Sequence, residues 1–459
     1  MAPTSALTRF WRTDLARDGV LELLEREDLE NLRLVCRDLS APVARMLFSD
    51  LRITFRNSTF IKPARMAALK RIGGHVRTLT FVMPHTQETF LPPLLDPITG
   101  EELTFVYFPQ IREPDVSSRQ NEPKYGSWEM NELLVKQYPT LFHAATNVPS
   151  FVQALSCMPS LRSLKIACSG QAATHRYRRS VVDYALISLR IAVERAPLRS
   201  LESLCLQPIH PGGIHYLRPI MGFGTSPASC KRWSLIRNLV LHIDSFPTEQ
   251  GQSMDQLKIL HSYLQCFPNL QNLDFCWNGA KGPFPLSLSS EPALCTPSPR
   301  TVCPARYNWP LRPLKLRNLR YMSLRNVIVD ASQVASFTTE HRHSLEEFDF
   351  EDTVLRSGTW DDALAPLTRM SDKEHGVRVE EAEVPIMLSP EEPSMYFKPT
   401  ILSPTPATHH RRRRTRKRRH REHVGDRSQS KAKAREVHWL SPEHLKRFIQ
   451  SSVLFSSWR

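Results

Sequence analysis

The sequence predicts an α/β fold in three parts. A three-helix module spans residues 12–50. A solenoid of strand–helix units spans residues 51–371, with parallel strands on its concave face and helices outside. A largely disordered basic tail spans residues 372–459. Three observations carry this reading. One spacing, apolar-x-x-apolar-x-apolar, returns seven times between residues 76 and 350, and stretches of helical period separate its copies. The third is charge: the formal net charge is +15, but residues 409–435 hold 13 Lys/Arg against Glu422 and Asp426, a net +11, so the rest of the chain is close to balanced.

In the module, Leu15, Val20, Leu21, Leu23 and Leu24 predict a first helix. Asp28 is placed to cap a second, Leu29–Arg37, with Leu29, Leu32, Val35 and Cys36 at helical spacing. Ser40 is placed to cap a third, entered through Pro42 and running to Phe48. Leu51, Ile53 and Phe55 then alternate with the period of a strand. A module this short exposes more apolar surface than it can bury. Leu15, Val20, Leu21, Leu24, Leu29, Leu32, Val35 and Leu39 are therefore expected at a partner interface or in the small core behind it, and spacing does not divide the two sets.

The repeat reads Val76/Leu79/Phe81, Leu161/Leu164/Ile166, Leu201/Leu204/Leu206, Ile236/Leu239/Leu241, Leu270/Leu273/Phe275, Leu319/Met322/Leu324 and Leu345/Phe348/Phe350. Residues Val181–Ala196, Met254–Phe267 and Ser332–Glu340 carry helical patterns between copies. A short strand of this kind buries one face against the helix of its own unit, and neighbouring units stack to share a core. The other strand face stays open as a broad binding surface, which exposed positions such as Arg162, Ser163 and Lys165 are expected to line. The 85-residue step between the first two copies is long enough to contain a degenerate one. Pro-rich segments 84–123 and 279–313 lack periodicity and read as long projecting loops.

In the tail, Arg411, Arg412, Arg413, Arg414, Arg416, Lys417, Arg418 and Arg419 form the dense part of a basic cluster at 411–421. Its first reading is a nuclear import signal met by an acidic groove of an importin, which puts the chain in nucleus and cytoplasm; contact with nucleic-acid phosphates is the second. Ser441, Pro442, Leu445, Phe448 and Ile449 predict a short amphipathic helix near 442–452.

Several function classes find no support in the residues. There is no Gly-x-Ser-x-Gly elbow, Walker loop or His-Glu-x-x-His, so no catalytic residue is assigned and the chain is not expected to be an enzyme. The nine cysteines have no zinc-finger spacing, so neither a metal nor a cofactor is expected, and they read as reduced thiols, mostly buried. No stretch is long and apolar enough for a membrane span. Gly212-Gly213 and Gly222/Gly224 read as turns between repeats, and Thr359 reads as the cap of a helix that begins at Trp360-Asp361-Asp362.

The segment from Glu25 to Phe55 resembles an F-box. The residues that carry the resemblance are Asp28-Leu29, Leu32-Arg33-Leu34-Val35-Cys36-Arg37 and Leu47-Phe48. The strand–helix units look like an irregular leucine-rich repeat array with units longer than usual. The stretch from His343 to Asp352, with Gly358-Thr359-Trp360 after it, is similar to the terminal repeats of fungal F-box proteins. The resemblance implies a non-enzymatic substrate receptor. Its helical module would dock on a Skp-type adaptor, and through it a cullin, of a ubiquitin ligase, while the concave face holds the substrate. A nuclear repeat scaffold or RNA-associated protein without a ligase role is the second reading, since it needs only the solenoid and the basic tail.

Overall fold

The structure, a computed structural model, describes residues 10–11, 13–35, 37–103, 107–111, 128–169, 179–220, 222–226, 228–245, 251–291 and 311–366. Three helices come first: α1 (Asp14–Leu23), α2 (Arg26–Val35) and α3 (Arg37–Leu47). The second and third start earlier than their polar residues suggested. Asp28 lies in the first turn of α2, where a carboxylate also favours the helix dipole, and Pro42 sits inside α3 rather than at its entry. Leu21, Leu29, Val43 and Leu47 form a core of their own, separate from that of the repeats. The guanidinium of Arg33 lies 4.8 Å over the Phe48 ring beside it.

The repeat spacing becomes a parallel sheet. Strands β1 (Asp50–Thr54), β2 (Thr78–Val82), β3 (Ser163–Cys168), β4 (Ser203–Ile209), β5 (Asn238–Asp244) and β6 (Asn272–Asn278) pair one after another in chain order. Two short strands, β7 (Gly282–Pro283) and β9 (Val327–Asp330), belong to a second sheet; β8 (Tyr321–Arg325) and β10 (Glu347–Glu351) complete the first, giving eight parallel strands. Leu51, Leu79, Leu164, Leu204, Leu239, Leu273, Met322 and Phe348 stand in one register row, and Ile53, Phe81, Ile166, Leu206, Leu241, Phe275, Leu324 and Phe350 in the next. Period-two alternation turns both rows into the core. Only their end members, on β1 and β10, are half-buried.

Helices pack behind the sheet: α4 (Pro63–Ile72), α5 (Trp128–Gln137), α6 (Thr140–Thr146), α7 (Val148–Ser156), α8 (Val181–Arg195), α9 (Pro211–Leu217), α10 (Ser229–Trp233), α11 (Gly251–Leu264) and α12 (Ala331–His341). Residues Val181 to Val193 of α8 are all buried, and α6, α7, α9 and α10 pack around this helix. β2 pairs directly with β3, so among the described residues the long step between the first two copies contains three α-helices and no extra strand of the sheet.

Neither Pro-rich segment is a simple projecting loop. Leu91, Leu94 and Tyr107 of the first are core residues, as are Phe284, Leu286 and Leu288 of the second, where residues Pro285–Ser290 form a 3₁₀ turn in place of a helix. Prolines remove backbone donors without preventing burial of the apolar side chains beside them. Strand β11 (Val354–Ser357) joins β9 and β7 in the second ladder, which the repeat spacing did not predict. The bends that feed it have positive φ at Gly279, Asn326 and Asp352, types that tolerate this conformation.

Candidate functional site: module surface, sheet face and a buried histidine–aspartate cluster

The structure sorts the candidate residues of the module. Leu21 and Leu29 are core, and Leu24 and Leu32 pack half-buried against them, so a partner cannot reach the first two without opening the module. Leu39 is half-buried. Leu15 (87% exposed) and Val35 (69%) lie on the surface, and Val20 is just above one-third exposed. Two residues outside the predicted partner set are equally open: Leu23 (85%) and Leu34 (83%). The signal for Leu23 was present, because it lies about 200° around the helix from Leu21. Cys36 of the F-box-like motif lies outside the described residues.

On the sheet, Lys165 is exposed between buried Leu164 and Ile166, in register with Thr80 and Cys205. Arg162 is exposed in the turn that enters β3, and Ser163 is half-buried. The open face is polarised along the array. Arg52, Lys165 and the turn residues Arg77 and Arg162 outnumber Asp50 on its first three strands, whereas Asp274, Glu347, Asp349 and Glu351 outnumber Arg320 and Arg325 on its last three. Arg325 knits the acidic end together. Its Nη2 lies 3.1 Å from Asp274 Oδ1 and 2.9 Å from His242 Nε2. His242 and Arg325 together hold the Asp274 carboxyl below the usual carboxylate range.

A third arrangement was not legible in the sequence. His85, Asp183 and His210 come from three repeat units, all are at least nine-tenths buried, and one potential ligand atom from each lies within 4.8 Å of the others. His85 follows β2, whose ladder continues when the His85 N–H donates to the Ser169 carbonyl at 2.8 Å. His210 follows β4. Between Leu206 and Ile209 that strand carries one more residue than β3 and β5, and such a bulge re-aims what comes after it. Asp183 stands in the first turn of α8, in a capping box: its Oδ2 accepts from the Ser180 N–H at 3.2 Å, leaving Oδ1 turned elsewhere. Gly212 and Gly213, expected in a turn, lie in α9. They give the His210 ring its room, since a Cβ on Gly212 would meet that ring at 3.1 Å and one on Gly213 would meet the Ile209 side chain at 2.8 Å.

Asp183 Oδ1, His210 Nε2 and both His85 ring nitrogens have no hydrogen-bond partner. His210 Nε2 is 3.7 Å from Asp183 Oδ1, and the His85 and His210 rings meet edge to face at 4.5 Å between centroids. Burial pushes the Asp183 carboxyl up to about 7 and outweighs its bond from Ser180. Burial lowers His85 to about 4, and burial with the neighbouring His85 lowers His210 to about 3. The backbone of Ser169 and Cys168 lies beside the His85 ring and offsets a little of its shift, but neither reaches hydrogen-bond geometry.

No family model and no curated protein matches this chain. Among the described residues, no helix is long and apolar enough to cross a membrane. The basic cluster at 411–421 and the predicted helix near 442–452 lie outside the described residues.

Proposed function

We propose that this chain is the substrate receptor of a Skp–cullin–F-box ubiquitin ligase: an F-box module followed by a leucine-rich repeat array, with no catalytic role of its own. The observation that carries the reading is the exposure of Leu15, Leu23, Leu34 and Val35 on a small module that has its own core. Isolated apolar side chains are common on surfaces, but four this open on two short helices leave apolar area of the kind a partner covers. The Leu32-to-Arg37 motif supports the choice of partner, a Skp-type adaptor. The polarised sheet face supports a protein substrate with complementary charge, docked across β3 to β10. The basic cluster supports import by an importin and a chain shared between nucleus and cytoplasm.

The test is capture of the Skp-type adaptor by the full chain, beside Leu34→Glu/Val35→Glu. Both side chains are exposed, so the variant is expected to keep the wild-type Tm and to lose capture at least tenfold. A folded wild type that captures no adaptor would overturn the reading in favour of a nuclear repeat scaffold, the role for which the solenoid and basic cluster suffice.

A further inference from the structure

We propose that His85, Asp183 and His210 bind one divalent transition-metal ion of the zinc class, which clips the segment after β2 to β4 and to the start of α8. The site lies where three adjacent parallel strands end. His85 extends β2, His210 follows β4, and Asp183 opens the helix that comes after β3. Three donors with unpartnered atoms converge there from stretches far apart in the chain. Two imidazoles and a carboxylate make a donor set that suits zinc and its neighbours. With ligand bonds of about 2.0–2.2 Å, tetrahedral donors stand roughly 3.3–3.6 Å apart. The 3.7 Å between His210 Nε2 and Asp183 Oδ1 needs only a small contraction, and the pairs with His85, within 4.8 Å, close by at most about 1.5 Å. The carboxylate's second oxygen is already held by the Ser180 N–H, the kind of outer-shell bond that orients a metal ligand.

The alternative is an apolar-like use of the three groups, with a protonated acid and two neutral rings filling space. It leaves four buried polar atoms unpaired, a costly arrangement that a cation would relieve at three of them, one from each residue. The site needs neither the adaptor nor the ligase, so it stands or falls apart from the reading above.

The full chain, made without a histidine tag and stripped with chelator, is titrated with Zn²⁺ and, separately, with Co²⁺. His409, His410, His420 and His423 could hold zinc weakly, so the decisive comparison is with His85→Gln/His210→Gln and with Asp183→Asn, which keeps an oxygen for the Ser180 N–H. The expected result is one equivalent of tight zinc in the wild type, a visible Co²⁺ spectrum and a Tm rise of at least about 3 °C on adding metal. In either variant the equivalent and the Tm rise disappear, with affinity down by at least about 100-fold, beyond what outer-shell changes cost. Chelator-treated variants that melt as wild type does confirm that the fold is intact. No tight equivalent in the wild type, or one that survives in both variants, overturns the proposal.

Discussion

Among single residues, Arg190 and Glu194 set the sharpest test of packing. Both lie one turn apart on the enclosed helix α8, and their side chains are almost wholly buried. The guanidinium donates to Glu194 at 2.7 Å and to the Phe223 carbonyl; Glu194 also accepts from Ser229 at 2.7 Å and from the Trp233 indole at 3.0 Å. The pair thus joins α8 to α10 through the carboxylate and to the turn at Phe223 through the guanidinium. Burial pulls the Arg190 guanidinium below its ordinary range, and Glu194 pulls it back. Glu194→Ala would leave a buried cation without its counter-charge and is expected to cost about 3–5 kcal/mol in urea unfolding. Arg190→Met/Glu194→Leu, which removes both charges, is expected to recover most of that loss. A single variant within 1 kcal/mol of wild type would show that water reaches the guanidinium (roughly the scale of a surface pair).

At the scale of elements, the core strands and α8 were legible because each carries a full period: two apolar positions in register on every strand, and a largely apolar stretch from Val181 to Val193 interrupted by Asp183, Ser188 and Arg190. The second ladder was not, because β7, β9 and β11 are two to four residues long and too short to show a period. Beside the buried Val327 and Val329, charge ties it down. Arg356, just before the end of β11, donates at 2.7 Å to the buried Glu291 and also to Asp330 at the start of α12. Arg356, then Ser357, holds the Asp330 carboxyl below the usual range. Such a group stabilises the fold fully above its unfolded pKa, near 3.9, and loses that contribution as pH falls through its lower folded value. Arg356→Met is therefore expected to cost about 1–3 kcal/mol at pH 7, mostly from stranding Glu291, with the gap to wild type narrowing below about pH 4. A gap unchanged down to pH 2 would contradict the sign. Of the candidate sites, the module's apolar residues could be named from spacing but not sorted. The histidine–aspartate cluster could not be named at all, because its members meet only through the register of β2, β3 and β4.

At the scale of the whole molecule, strand order equals chain order, so each unit's contacts are mostly with its neighbours and stability should be graded along the array. The central rows on β3 to β6 are fully buried, while Phe348 and Phe350 on β10 are not, and the helical module keeps a small core apart. Amide hydrogen exchange is expected to be slowest in β4 and β5 and faster in β10 and in α1 to α3; uniform protection from module to β10 would mean a single cooperative unit instead. The same chain-ordered pairing has a consequence for synthesis. Each strand finds its earlier partner already outside the ribosome, so the sheet can grow from its first edge without waiting for a distant C-terminal segment. Glu347, Asp349 and Glu351, on the last strand to arrive, leave a charged edge that discourages the nascent sheet from recruiting another chain.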